Sequence, residues 1–397
     1  MRRAITSATA CLALVMGTVV IGTAAPAQAA APDWSGLDAT SYNGPIPAPG
    51  ALINSVPLNP ALSVSGAAQA YRILYSTLDQ HDSPAVSTGA VFLPRSAPPA
   101  GGWPVVAWAH GTVGLGDDCT PSAKPRSQRD NEYLTHWLDQ GYAVVATDYV
   151  GLGTPGLMSY LNSVTTARGV VDSVIAAHHL DVPLSPQWAV VGQSQGGAGA
   201  VSTARWANEF SQGSGLDYRG VVATGTPANV QRIVKRVGPD FSIPEVAPVA
   251  NAYTAYITAA LREARPDLDL DSVLSPTGKK AAALGETLCL AALTDELAEL
   301  TPAALFSAPL ESIPGIDAAL DAYMGVPVDG YDRPLFLGVG LLDRDVPPNL
   351  TLTFADELRA EGQDFELRVY PDEDHSGTVL ASMPDSTPFL ERAFGAR

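Results

Sequence analysis

A mostly parallel β-sheet with helices on both faces, interrupted late by a helical insertion, is the fold class that this sequence predicts. Three observations carry the expectation. Short apolar runs recur along the chain, helical stretches alternate with them, and the alternation stops between residues 228 and 331. Strands alternating with helices imply βαβ units and a parallel sheet, and a long helical stretch between two sheet strands implies an insertion.

The elements follow in order. Met1-Arg2-Arg3 is a short positive start, no charge recurs until Asp33, and Ala27-Gln28-Ala29 has the small-x-small pattern of a cleavage site. Residues 1–29 are therefore expected to be a removable export signal. The uncharged stretch is long enough to span a bilayer, but its Ala, Pro and Thr content and the cleavage pattern favour removal over a stable membrane anchor. Residues 32–66, rich in Pro, Gly, Ala and Ser, read as an extended arm. Strand-like runs at 71–77 and 90–93 come next. Apolar segments at 104–109, 142–147, 188–192 and 220–224 read as buried parallel strands, with two more at 334–340 and 365–370. Helical stretches are expected at 131–140 before Gly141, at 165–180 before Pro183 and Pro186, at 195–210, and at 350–360 before Gly362. The organisation that results is a first core segment, 30–227, a helical cap or lid, 228–330, and a second core segment, 331–397. An insertion at that place is expected to cover the carboxyl ends of the strands, where open α/β sheets bind ligands.

Hydrophobic residues make up 46% of the chain and charged residues 16%, which supplies a sizeable core and excludes a disordered polymer. The net charge of −18 becomes −20 once Arg2 and Arg3 leave with the signal. Such a surface argues against nucleic acid as a partner and against steering to anionic membranes. It is compatible with a neutral ester or lipid. Beyond the signal two cysteines remain, Cys119 and Cys289. An even count in an exported protein suggests one disulfide. Neither cysteine has metal-ligand spacing.

The strongest chemical signal is Gly192-Gln193-Ser194-Gln195-Gly196. As a string G-x-S-x-G is common, but here it follows an apolar strand and opens a helix. A nucleophilic serine needs that context: a sharp strand-to-helix turn lifts its hydroxyl to the sheet edge and aims the helix N-terminus at developing negative charge. The hydroxyl also needs a base. In this arrangement the order is Ser, acid, His, and of the six histidines only His375 lies beyond Ser194. It follows the run 365–370 in the loop Asp372-Glu373-Asp374-His375-Ser376-Gly377. A metal site there is poorly supported, since no partner ligands are evident elsewhere. The acid must leave a strand between Ser194 and His375, and the stretch Leu341-Leu342-Asp343-Arg344-Asp345-Val346-Pro347 offers Asp343 or Asp345. Asp343, three residues after Gly340, is the better placed, with Asp345 flanking. Two backbone N–H groups must hold the oxyanion. Gln195, just after the nucleophile, supplies one. The loop His110-Gly111-Thr112-Val113-Gly114 supplies the other, with Thr112 ahead of Gly111, and His110 shaping the loop.

His110-Gly111-Thr112, then Ala146-Thr147-Asp148-Tyr149-Val150-Gly151-Leu152-Gly153-Thr154-Pro155-Gly156, then Gly192-Gln193-Ser194-Gln195-Gly196-Gly197 follow one another as in the secretory lipases. The chain resembles that family from about residue 40, and Asp343 before Val-Pro and His375 in His-Ser-Gly complete the likeness. The resemblance implies an α/β-hydrolase core, a helical cap, and hydrolysis of acylglycerols or other carboxylic esters without a cofactor. Family members commonly carry His before the nucleophile where this chain has Gln193. On the same resemblance, a Cys119–Cys289 bridge would tie the oxyanion loop to the cap. Two other readings compete: a peptidase or acyltransferase on the same triad, and a silent binding protein, which the intact Ser194, Asp343, His375 order opposes.

Overall fold

The computed structural model describes residues 34–242 and 248–395; the expected export signal lies outside them. Among these residues nine strands form one sheet: β1 (Leu52–Pro57), β2 (Gln69–Leu78), β3 (Pro84–Leu93), β4 (Trp103–Ala109), β5 (Ala143–Thr147), β6 (Leu184–Gln193), β7 (Asp217–Thr224), β8 (Leu335–Gly340) and β9 (Phe365–Tyr370), in the spatial order β1-β2-β3-β5-β4-β6-β7-β8-β9. The first three strands are antiparallel, and β4 to β9 run parallel. Strands β4, β5 and β8 are buried along their whole length, as their unbroken apolar runs require when helices cover both faces.

Among the described residues eleven helices accompany the sheet: α1 (Gln128–Asp139), α2 (Ser163–Ala177), α3 (Gln195–Phe210), α4 (Gln231–Val234), α5 (Val249–Ala264), α6 (Pro276–Gly285), α7 (Leu290–Glu296), α8 (Ile316–Met324), α9 (Pro348–Ala360), α10 (Gly377–Ala381) and α11 (Met383–Ala393). Their starts follow from local chemistry. Ser127 Oγ accepts from the Asp130 N–H to cap α1, Asn162 Oδ1 accepts from the Thr165 N–H at α2, and Ser275 with Pro276 opens α6. The core lies on both sides of the sheet. Val170, Val174 and Val201 pack with Val105 and Val190 on one face, and Trp137, Leu138 and Phe389 pack with Trp108 and Phe336 on the other. Among the described residues no helix is long and apolar enough to cross a membrane.

One stretch departs from expectation. Residues 32–66 contain β1, which pairs with β2. Its pattern is half exposed, with Ser55 and Asn54 outward and Pro57 at its end, so an edge strand of this kind carries no clear alternation to read. From α4 to α8 the chain forms helices and short 3-10 turns between β7 and β8.

The parallel register explains why one sheet edge carries the chemistry. Ala109 pairs with Gly192, Gln193 with Thr224, Thr224 with Gly338, and Gly340 with Tyr370. The carboxyl ends of β4, β6, β7, β8 and β9 therefore come level. The segments leaving them bring the 110–112 loop, Ser194, Gly225, Asp343 and His375 to the same rim.

Candidate active site

Ser194 sits between β6 and α3 with φ +58° and ψ −126°, a backbone conformation that costs a non-glycine residue about 1–3 kcal/mol and persists only where its surroundings enforce it. The Ser194 N–H donates to the Thr224 carbonyl at 3.0 Å. The flanking glycines allow the turn: a Cβ on Gly192 would lie 2.0 Å from the Gly196 carbonyl oxygen, and one on Gly196 would lie 1.9 Å from that of Ala109. Ser194 occupies the N-cap position of α3, yet its side chain makes no capping hydrogen bond. A capping serine stabilises a helix by about 1 kcal/mol; here the hydroxyl is left to the cavity.

His375 Nδ1 donates to Asp343 Oδ2 at 2.7 Å. The other Asp343 oxygen, Oδ1, accepts the N–H groups of Asp345 at 2.9 Å and Val346 at 2.8 Å. Asp343 is thus fixed by the loop leaving β8, and it is 5% exposed against 8% for His375. Of the two carboxylates the sequence offered, Asp343 meets the imidazole. Asp345 Oδ2 instead accepts from the Tyr253 hydroxyl at 3.1 Å. The His375 loop is held by the Asp374 carboxylate, which accepts the N–H groups of Ser376 and Gly377 at 3.0 and 2.7 Å. His375 Nε2 is buried and, among the described residues, has no hydrogen-bond partner.

Thr112 and Gln195 also come to this place. The Gly111 segment packs against the nucleophile turn, where an added Cβ would lie 3.5 Å from Ser194 Cβ and 2.5 Å from Gln193 Oε1. Gln195 opens α3, so its N–H has no acceptor within the helix. Among the described residues the Thr112 N–H donates no hydrogen bond either. Gln193, where the secretory lipases commonly have His, is buried beneath this loop.

Gly225 carried no signal in the sequence, and the motifs in which His110, Asp148 and Tyr149 stand disclosed none of their contacts. Gly225 has φ +55°, and a Cβ there would lie 2.9 Å from His375 Nδ1, so only glycine leaves room for the imidazole. Tyr149 has φ +68°; its ring stacks on His110 at 4.2 Å and its hydroxyl donates to the His110 carbonyl at 3.0 Å. His110 is buried, and burial holds its pKa below the usual range. Its Nδ1 lies 2.7 Å from the Gly111 carbonyl oxygen and its Nε2 3.3 Å from that of Asp148. Asp148, fully buried, accepts from Thr88 Oγ1 at 2.7 Å and from the Ser122 N–H at 2.9 Å, anchoring the segment that carries Tyr149. A positive φ or an aromatic contact between distant segments is invisible before the fold exists.

Two cavities meet at Ser194. One, of about 370 Å³, is lined mainly by aliphatic side chains, among them Val230, Val234 and Ile257 of the α4–α5 region and Leu350 of α9. The other, of about 520 Å³, is polar and contains Thr112, Gln193 and His375 with Arg129, Asp130 and Asp374. Ser194, Tyr253, Arg344 and Asp345 line both. Cys119 and Cys289 form a disulfide, Cα atoms 5.4 Å apart, and the Leu290 N–H donates to the Val113 carbonyl at 2.8 Å. The segment after the 110–112 loop is thereby tied to the start of α7.

The strand order, the parallel register and the helices on both faces define an α/β-hydrolase fold. Within that class, the family model of the secretory lipases matches residues 123–297. The model of the prolyl oligopeptidase family matches residues 319–395. No curated protein gives a significant match. Among solved structures, Candida antarctica lipase A in its closed state aligns with a TM-score of 0.71 at 19% identity, over 87% of this chain and 82% of that one. A ligand-bound form of the rice cell wall degrading esterase LipA from Xanthomonas oryzae aligns with a TM-score of 0.68 at 20% identity, over 87% and 98%. At these identities the structural likeness bears on the fold. The family match on this fold makes the chain a lipase/esterase-like carboxylic ester hydrolase.

Proposed function

We propose that the chain is an exported serine hydrolase that cleaves carboxylic esters, acylglycerols foremost, through an acyl-enzyme on Ser194. The observation that carries this reading is the strained Ser194 at the meeting point of two cavities, with the buried Asp343–His375 pair beside the polar one. Ser194 Oγ attacks the ester carbonyl while its proton passes to His375 Nε2, the ring nitrogen left unpartnered. Asp343 holds the Nδ1–H tautomer and stabilises the imidazolium. The Thr112 and Gln195 N–H groups hold the oxyanion. Collapse of the tetrahedral intermediate breaks the ester C–O bond, and His375 returns the proton to the departing alcohol. Water, deprotonated by the same nitrogen, then releases the acid. No metal or other cofactor enters these steps.

The aliphatic cavity suits an acyl chain and the polar one an alcohol, and the helices from α4 to α8 serve as a cap over the acyl side. A peptidase reading is favoured by the prolyl oligopeptidase match, but an apolar cavity against the nucleophile fits an acyl chain better than a peptide backbone, whose amides would lie there unpaired. The secretory lipase match supports an ester or lipid, met outside the cell, as the substrate.

The test is turnover of p-nitrophenyl esters from acetate to palmitate, of emulsified triolein and of a matched anilide, by residues 30–397 and by Ser194→Ala. Ester turnover that extends to long chains and disappears in Ser194→Ala is expected. Undiminished turnover in Ser194→Ala would remove the nucleophile, and anilide turnover exceeding ester turnover would make the chain a peptidase.

A further inference from the structure

The Thr112 side chain raises a question that its backbone N–H does not answer. Its Oγ1 lies 2.7 Å from the Tyr160 hydroxyl, so two hydroxyl groups share one hydrogen bond and one of their two protons is left over. The direction of the bond decides where that proton points.

Chemical preference and surroundings favour the same direction. A phenol is the stronger donor and an aliphatic hydroxyl oxygen the better acceptor, which favours Tyr160 donating to Thr112. The surroundings agree. Tyr160 is 3% exposed and lines the aliphatic cavity with Val230 and Ile257, where an unshared O–H proton would be desolvated without a partner. Thr112 lines the polar cavity with Ser194 and His375. Burial also pushes the Tyr160 phenol well above its usual range, so its proton is present throughout the working pH of a histidine base. A hydroxyl that accepts one hydrogen bond donates the next more strongly.

We infer that the Thr112 hydroxyl is a third oxyanion donor, oriented by the buried hydroxyl of Tyr160. The inference rests on the reading of Ser194 as nucleophile and of the 110–112 loop as its oxyanion loop. During attack the carbonyl C=O becomes C–O⁻, and the Thr112 O–H donates to that oxygen without losing its proton. Thr112 is then a catalytic residue through its side chain as well as its backbone, whereas Tyr160, touching Thr112 and no reacting atom, is a positioning residue. The Tyr160–Thr112 bond spans the seam between the two cavities. An acyl chain that packs on the Tyr160 ring therefore presses on the group that aims the donor.

The experiment compares wild type, Thr112→Val, Thr112→Ser and Tyr160→Phe in the hydrolysis of p-nitrophenyl butyrate. A trifluoromethyl ketone, whose adduct carries the oxyanion, is used as inhibitor. Removing one oxyanion donor lowers kcat by about 100-fold, so Thr112→Val is expected to lose roughly that factor in both kcat and inhibitor affinity, with KM little changed. Thr112→Ser restores most of the loss. Tyr160→Phe keeps the ring and loses the proton, and about a tenfold fall in kcat with a parallel fall in inhibitor affinity is expected. Thr112→Val with wild-type kcat would overturn the donor, as would equal losses in Thr112→Val and Thr112→Ser. Tyr160→Phe with wild-type kcat would overturn the orienting role. Fluorophosphonate labelling of Ser194 in all four proteins separates this outcome from failure of the nucleophile itself: wild type that does not label loses both readings, whereas wild type that labels leaves the hydroxyl alone in question.

Discussion

The sheet edge and the helical insertion contribute to one site by opposite means. At the sheet edge, position is enforced by backbone. Ala109 is paired with Gly192, Gly340 with Tyr370, and the Ser194 turn is so tight that its glycines admit no Cβ. The insertion contributes through side-chain packing. Val230, Val234 and Ile257 wall the aliphatic cavity, and its links to the core run through side chains for the most part: the Cys119–Cys289 disulfide, the Tyr253 to Asp345 contact and the Asn229 to Glu357 hydrogen bond are three of them. A framework fixed by hydrogen-bonded backbone tolerates little change and sets the chemistry. A framework held by aliphatic contacts can be resized and sets which substrates arrive.

The comparison is broken most severely at the acid. Asp343→Asn keeps the shape of the loop but presents an amide to His375, favouring the wrong tautomer. A fall in kcat of about 10⁴-fold is expected, with KM nearly unchanged, as found when the acid of a comparable triad is replaced. Asp345→Asn, two residues on, is expected to stay within about tenfold, since its carboxylate meets Tyr253 and not the imidazole. Steady-state kinetics on one short ester checks both. A larger loss at Asp345 than at Asp343 would exchange the two roles.

The same contrast explains what the sequence disclosed. The turn at Ser194, the loop of His375 and the parallel strands were readable because few residue choices were open: glycines around the turn, unbroken apolar runs in strands buried on both faces, and a single histidine beyond Ser194. Asp343 was separable from Asp345 only by its spacing from Gly340, and the structure shows which carboxylate touches the ring. The residues that tune the site were not readable. Tyr160 and Tyr253 look like any other in a chain with 13 tyrosines, and each acquires its role from a partner far away in sequence. Helices α10 and α11 also went unexpected, because α10 has five residues and Pro388 lies inside α11. Strand β1 was hidden by its half-exposed pattern. Tertiary contacts, which no local pattern encodes, decide all of these.

Removing the disulfide tests how firmly the insertion is tied down. The bridge closes a loop of 170 residues, and native bridges of this kind contribute about 2–5 kcal/mol. Cys119→Ser with Cys289→Ser is expected to lower the thermal midpoint by several degrees, and to lower activity on palmitate more than on acetate, because the sheet edge keeps its own hydrogen bonds. Differential scanning fluorimetry alongside ester kinetics reads both effects. Equal loss on every ester would mean that the bridge supports the oxyanion loop more than the insertion.

The smallest effect should come from resizing the aliphatic wall. Ile257 lies on α5, is 7% exposed and faces the cavity that contains Ser194. Ile257→Trp fills space that a long acyl chain needs and leaves the Asp343–His375 pair untouched. Each methylene that no longer fits costs about 1–3 kcal/mol in transition-state binding. kcat/KM for the palmitate ester is therefore expected to fall by at least about tenfold relative to acetate. The acetate rate is expected to stay near wild type, since two carbons reach no further than Ser194 and its neighbours. A profile shifted to short chains would place the acyl group against α5. A uniform fall would mean that α5 shapes the triad itself, and an unchanged profile would send the acyl chain to the polar cavity and reverse the assignment of the two sides.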